Sequence, residues 1–147
     1  MFNLIYRDGA PENAGHYEVF RKNNGSGSAL AVGQLVSVSE GIASKYESGK
    51  PYGVVAISAA DGEDSVAVLR ITDDMIFSAT GTANAAFGPE NLKGGCAELE
   101  HDGVKYKFVS VETGYAFEIT EVVSCETDDY GQAGGRAVLK GRFVNLD

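Results

Sequence analysis

Apolar and polar residues alternate along most of this chain, and this period of two constrains the fold more than any other feature of the sequence. The alternation is clearest where Val104, Tyr106 and Phe108 are separated by two lysines. Turn-forming residues interrupt it about every 8 to 12 positions, and no segment has the apolar spacing of a three-turn helix. The sequence therefore predicts an all-β chain, a small β-barrel or β-sandwich of about ten short strands. The predicted strands lie at residues 2–6, 16–21, 33–39, 41–45, 53–58, 65–72, 75–78, 95–100, 104–109, 116–123 and 136–144.

A stretch rich in small residues, ATGTANAAFGP at positions 79–89, separates two series of predicted strands. We therefore predict two packed β units joined by this loop. Residues 1–78 would form a β-barrel with an N-terminal arm, and residues 90–147 a second unit rich in hairpins. Within the second unit, Asp102 and Gly103 are predicted to form a two-residue type I′ turn, because both residue types tolerate the positive φ that this turn requires.

The charge balance excludes some classes of partner. Twelve lysine and arginine residues stand against 21 aspartate and glutamate residues, which gives a formal net charge of −9. A surface this acidic repels phosphate backbones, so we expect no direct binding to nucleic acid. No apolar run approaches the roughly 18 residues of a membrane span, so we expect no membrane-spanning segment. The first residues lack the pattern of a Sec signal peptide, so we expect no such signal.

Sequence motifs that would indicate an enzyme or a bound metal do not occur. The sequence lacks H-E-x-x-H, G-x-S-x-G and Walker patterns, and His16 and His101 stand outside any zinc-ligand spacing. Gly25-Ser26-Gly27 partly matches a phosphate-binding loop, but no predicted helix follows it. The acidic clusters lack the spacing of a calcium loop, although residues 126–129 are the best candidate among them. We therefore predict no catalytic residue, no metal site and no cofactor.

The two cysteines, Cys96 and Cys125, are 29 positions apart. We interpret them as small apolar side chains in a reducing compartment. A disulfide would require their strands to lie within Cα reach of each other, which the sequence leaves open.

Four segments follow one another between residues 30 and 72: AVGQLV at 31–36, GIA at 41–43, PYGVV at 51–55 and GEDSVAVLR at 62–70. They comprise a glycine-led entry strand, a short variable hairpin, a Gly-Val strand and a strand with alternating valines that follows Gly-Glu. This order resembles the head-decoration, or capsid-cementing, proteins of tailed bacteriophages. The similarity covers about a third of the chain, and the half from Gly94 onward departs from the compact decoration fold.

This resemblance implies a non-enzymatic virion structural protein that stabilises the phage capsid. Such a protein would sit on the outer capsid surface, often as a homotrimer, and bind the major capsid protein. It would be located on the virion after synthesis in the cytoplasm of the host bacterium. Because the second half departs from the family pattern, a head-fibre or tail structural component stays an alternative.

We predict that the N-terminal strand attaches the protein to the capsid. An edge strand offers a partner unpaired backbone groups and alternating side chains, here Phe2, Leu4 and Tyr6. Deleting residues 1–8 would then abolish capsid binding with little change in the melting temperature. An ordinary edge strand of the same barrel is the alternative interpretation of this segment.

A carbohydrate- or ligand-binding β-sandwich module is the alternative function from a different class. Its stacking residues would be the loop tyrosines Tyr46, Tyr52, Tyr115 and Tyr130, which would face one another across a cleft.

Overall fold

The described part of the molecule consists of β-strands joined by turns and loops. The computed structural model describes residues 1–7, 17–83, 96–101, 106–110, 117–127 and 133–144. The same residues contain no helix that is long and apolar enough to cross a membrane. The described residues confirm the predicted all-β fold. Their strands are β1 Phe2–Arg7, β2 Tyr17–Lys22, β3 Leu35–Ser39, β4 Ile42–Lys45, β5 Gly53–Ile57, β6 Ser65–Arg70, β7 Met75–Ala83, β8 Cys96–His101, β9 Tyr106–Ser110, β10 Phe117–Thr127 and β11 Ala133–Phe143.

Strands β2 to β6 form a closed barrel in the order β2-β4-β3-β5-β6. Neighbouring strands are antiparallel except for β2 and β4, whose parallel pairing joins Arg21 to Ile42 and Lys22 to Ala43. Successive side chains of a strand point alternately inward and outward, so every second residue reaches the barrel interior. The buried cluster there comprises Leu30, Val36, Ala43, Val55, Ala59, Val66 and Val68.

The hairpin between β3 and β4 contains a two-residue turn with positive φ at both positions. Ser39 pairs with Ile42, so Glu40 and Gly41 alone lie between the paired residues. Their φ angles are 53° and 77°. These values are typical of the type I′ turn, which matches the twist of the flanking strands, and glycine adopts them without steric cost.

The remaining strands form a six-stranded sheet in the order β1-β7-β11-β10-β8-β9. A parallel pairing of Thr82 and Ala83 in β7 with Lys107 and Phe108 in β9 joins β9 back to β7, so the sheet curls around its own core. Aromatic rings fill that core, where edge-to-face packing adds to the free energy gained by burial. The buried rings that the strands of the sheet contribute are those of Phe2, Phe77, Tyr106, Phe108, Phe117 and Phe143.

Strand β7 crosses the predicted boundary between the two β units. It extends from Met75 to Ala83, so residues 79–83 of the predicted loop are strand, and residues 84–89 lie outside the described residues. β7 pairs with β1 and with β11. The division at residue 78 is therefore corrected, because β1 and β7 belong to the sheet of the second half while the barrel comprises β2 to β6.

The hairpin of β8 and β9 is present, but its predicted turn is wrong. His101 pairs with Tyr106, which leaves residues 102–105 between the paired positions, whereas a two-residue turn at Asp102 and Gly103 would pair His101 with residue 104. The residues of the turn themselves lie outside the described ranges. A shift of two positions keeps each side chain on its face of the sheet, so Tyr106 and Phe108 still point into the core as the alternation predicts.

The strand register separates the two cysteines. Cys96 pairs with Glu118 of β10, and Cys125 is further along that same strand. At the usual rise per residue the two Cα atoms are roughly 20 Å apart. A disulfide requires Cα atoms within about 7 Å, so these cysteines do not bridge each other in this fold.

The barrel and the sheet pack against each other through a shared apolar core and backbone hydrogen bonds. The amide of Phe2 donates to Gly33 O at 2.8 Å, and the amide of His101 donates to Glu47 O at 2.9 Å. Barrel residues that belong to the same buried cluster as the aromatic rings of the sheet include Leu35, Val54 and Leu69. The barrel and the sheet are therefore joined by apolar contacts and backbone hydrogen bonds as well as by the chain segments that connect them.

Tyr106 also connects the sheet to the barrel through its hydroxyl group. The amide of Leu35 donates to Tyr106 Oη at 2.6 Å. Burial raises the pKa of Tyr106 to about 12, so the hydroxyl stays neutral beyond the pH at which an exposed tyrosine ionises.

We expect Tyr106→Phe to lower the free energy of unfolding by about 1–3 kcal/mol, because it leaves the buried amide of Leu35 without an acceptor. Urea denaturation measures the change. Tyr17→Phe is the matched control, since the side chain of Tyr17 is mostly exposed and should lose nothing. Equal stability of the two variants would show that the hydroxyl of Tyr106 contributes no net stability.

Candidate functional site

Strand β1 does not form the arm that the sequence analysis predicted. Phe2 is 1% exposed and lies in the aromatic core, and Leu4 is partly buried against the same cluster. Tyr6 pairs with Ile76 of β7 through its backbone, and its side chain lies outside the described part of the structure. The prediction of Phe2 as a capsid contact is therefore corrected, because a side chain this deeply buried cannot reach a partner.

The tyrosines of the carbohydrate hypothesis do not face one another within the described ranges. Tyr46 is buried, and its hydroxyl lies 2.9 Å from Leu99 O, so it connects the barrel to β8 instead of facing solvent. Tyr115 and Tyr130 lie outside the described residues.

Tyr52 is half-buried and engaged on both its hydroxyl and its ring. The hydroxyl donates to Glu18 at 2.9 Å, and the guanidinium carbon of Arg70 lies 5.6 Å from the ring centroid. Burial raises the pKa of Tyr52 above its ordinary value, and the Glu18 carboxylate adds to this effect. A ring already covered by a guanidinium is a poor platform for stacking a sugar.

Exposed apolar side chains form a row across three adjacent strands of the barrel. Val19 in β2 pairs with Ala67 in β6, and Ile57 in β5 pairs with Ala67 from the other side. Val19 is 72% exposed, Ile57 is 60% exposed, and Tyr17, two positions before Val19, is 58% exposed. Directly paired side chains lie about 5 Å apart on one face of a sheet, so the exposed groups are contiguous. We call Tyr17, Val19, Ile57 and Ala67 the apolar row.

The members of the apolar row lie in strands that the sequence predicts, but the sequence pattern does not assign them to an outer surface. In β6, Val66 and Val68 are buried in the barrel while Ala67, between them, faces outward. Alternation predicts that a strand has two faces but does not show which face is exposed. The pairing register that places Val19 and Ile57 on either side of Ala67 arises only in the folded barrel. Apolar residues on both faces of a strand are the signal that could have indicated an exposed apolar surface.

Asp61 orders the polar loop that follows β2, residues 23–29. Its carboxylate accepts hydrogen bonds from the amides of Gly27 at 3.2 Å and Ala29 at 2.7 Å. These hydrogen bonds lower the pKa of Asp61 below its ordinary value, because they favour the charged form. The stabilisation is present above the ordinary pKa of aspartate and is lost as the pH falls through the lowered value.

The described ranges contain no group of three or more His, Cys, Asp or Glu side chains that could bind a metal ion. Of the best calcium candidate, residues 126–129, Asp128 and Asp129 lie outside the described residues. His101 is half-buried with its ring 4.6 Å from the ring of Tyr106, and His16 lies outside the described residues.

No family model, no curated protein and no solved structure matches this chain. The apolar row, together with the sequence pattern of the barrel, therefore supplies the grounds for a functional assignment.

Proposed function

We propose that this protein is a non-enzymatic structural protein of a tailed-phage virion that binds the outer capsid surface and stabilises the shell. Its partner is the major capsid protein, and it attaches through the apolar row. The protein is made in the cytoplasm of the host bacterium and becomes part of the virion when the capsid surface is available. The segments that resemble capsid-cementing proteins, within residues 30–72, belong largely to the barrel that carries this row.

The apolar row is the observation that supports this proposal most directly. Covering an exposed valine or isoleucine side chain completely yields about 1.5–3 kcal/mol, and the row offers such groups on β2 and β5, on either side of β6. A net charge of −9 provides no long-range attraction to an acidic capsid, so attachment must depend on short-range contact. The strands of the barrel pair with one another in a closed order, and the groups that the row exposes are side chains, so side-chain contact is the mode of attachment that the row favours.

Co-sedimentation with capsids tests the proposal. The capsids are assembled without this protein from the major capsid protein encoded in the same genome. We expect the parent protein to pellet with them saturably, with little difference between low and moderate salt. Val19→Asp should weaken binding roughly tenfold or more, because it places an unpaired charge in an apolar contact.

Val123→Asp is the matched control for Val19→Asp. Val123 is 52% exposed in β10 and lies outside the apolar row, so this variant should bind capsids like the parent. Thermal melts establish that both variants are folded. Absence of saturable binding by the parent, or equal loss of binding in the two variants, would contradict the proposal. A steep loss of binding with salt would indicate a charged interface instead.

The proposal includes a homotrimer as the capsid-bound form. We expect three chains, or a multiple of three, at each occupied position of the capsid. Quantitative gel analysis at saturation measures the number of bound chains. Occupancy by single chains would contradict the trimer while leaving capsid binding intact. Saturable binding to a glycan panel, without binding to capsids, would favour the carbohydrate-binding alternative.

A further inference from the structure

Lys22, the last residue of β2, is buried although its side chain carries a charge. Its side chain is 6% exposed, and no other charged residue is buried to this degree within the described residues. Nζ donates to Asn23 O at 2.7 Å and to Ser28 Oγ at 3.3 Å, which are both uncharged acceptors. In the described part of the chain no ion pair joins Lys22 to a carboxylate. An ammonium group has three N–H donors, so one donor is left without an acceptor there, and no carboxylate contacts the positive charge directly.

An open groove of about 800 Å³ on the barrel lies over this lysine. Its charged lining consists of Lys22, Lys45 and Glu47, and the carboxylate of Asp61 is hydrogen-bonded to the loop that forms one wall. Hydroxyl groups make up much of the remaining lining, from Ser26, Ser28, Ser37, Ser44 and Ser48. We call this surface the lysine groove.

Asp61 does not neutralise Lys22 directly. Its carboxylate oxygens accept the amides of Gly27 and Ala29, and it acts on Lys22 only as a charge at longer range. Asp61 therefore orders the loop that forms one wall of the groove and leaves the ammonium group available to a ligand.

We propose that the lysine groove binds a small oxyanion of the inorganic phosphate type. Lys22 Nζ supplies the charged donor, and the exposed hydroxyls of Ser26, Ser44 and Ser48 supply neutral donors around it, a combination that suits the several oxygens of such an anion. Gly25-Ser26-Gly27, the segment that partly matches a phosphate-binding loop, lines this groove. A helix dipole is not needed here, because the lysine provides the positive charge that a helix N-terminus provides elsewhere. The site is separate from the apolar row, so it does not depend on capsid binding.

A titration of the full chain with inorganic phosphate at constant ionic strength tests this proposal. The amide chemical shifts are measured by NMR at each phosphate concentration. We expect saturable shifts in the loop 23–29. Lys22→Met should weaken phosphate binding roughly tenfold or more, the usual effect of losing a charge-assisted hydrogen bond. Lys107→Met is the matched control, because Lys107 is an exposed lysine of β9 outside the groove and its loss should leave phosphate affinity unchanged.

Lys45→Gln gives a second measurement if Lys22→Met fails to fold. Lys45 is exposed at the rim of the groove, so Lys45→Gln should fold like the parent and bind phosphate several-fold more weakly. Shifts that do not saturate, or that are equal in Lys45→Gln, Lys107→Met and the parent, would overturn the proposal. An acetate titration is the third arm, and saturable binding of acetate without phosphate would overturn the phosphate assignment in favour of a carboxylate group.

Discussion

Phe2→Ala is expected to lower the free energy of unfolding by about 3–5 kcal/mol, the usual cost of removing a fully buried phenylalanine ring. The ring of Phe2 lies 5.1 Å from that of Tyr106, 5.9 Å from that of Phe117 and 5.4 Å from that of Phe143, so its loss opens a cavity among aromatic neighbours. Chemical denaturation measures the effect. For a chain of this size we also expect the melting temperature to fall by roughly 10 °C or more.

Phe2→Leu is the matched control for Phe2→Ala. It keeps most of the apolar volume and should cost only about 1–2 kcal/mol. A melting temperature unchanged in Phe2→Ala would place Phe2 outside the core and restore the interpretation of residues 1–8 as a free arm. The burial of Phe2 instead predicts that deleting this segment destabilises the whole sheet, which reverses the expectation drawn from the sequence.

Gly141→Ala is expected to lower the free energy of unfolding by about 1–3 kcal/mol, because it overfills a packed part of the sheet. Gly141 lies in β11 between Phe77 of β7 and Ile119 of β10. A Cβ atom at this position would lie 2.7 Å from ring carbons of Phe117 and would also press against Glu118 O. The backbone oxygen cannot move away without breaking the pairing of β10 with β11.

Gly62→Ala is the matched control for Gly141→Ala. A Cβ atom at Gly62 would meet nothing within 4 Å, and its φ is not in the left-handed region. We expect this variant to be neutral or slightly stabilising, since alanine restricts the unfolded chain. Thermal melts of both variants make the comparison. If both melt like the parent, the close packing of Phe117 against β11 is not present in solution.

Strand positions were predictable because the pattern that specifies them is local. The predicted strands at 53–58 and 65–72 match β5 and β6 to within two residues. The pattern failed where pairing extends a strand beyond its own propensity. β10 continues to Thr127 and β11 begins at Ala133, through acidic and glycine-rich sequence, because Cys125 pairs with Ala137 and Thr127 with Ala133.

The candidate sites were less predictable than the strands. The sequence showed a partial match to a phosphate-binding loop at Gly25-Ser26-Gly27, but it did not show that Lys22 is buried beside this loop, because that burial depends on how the barrel closes between β2 and β4. The apolar row depends in the same way on β6 lying between β2 and β5. Both surfaces combine residues from strands that are distant in the sequence.

The sequence by itself determined that the chain is all-β, where most strands lie, and that the protein is strongly acidic. Only the tertiary structure decided that β1 and β7 join the C-terminal strands, that Phe2 points into the core and that Val19 and Ile57 point outward. The physical reason is that alternation specifies an extended backbone with two faces, which is a property of neighbouring residues. Which face is buried, and which strands pair, depends on free energy gained between residues far apart in the chain, and that free energy exists only when the barrel and the sheet have formed.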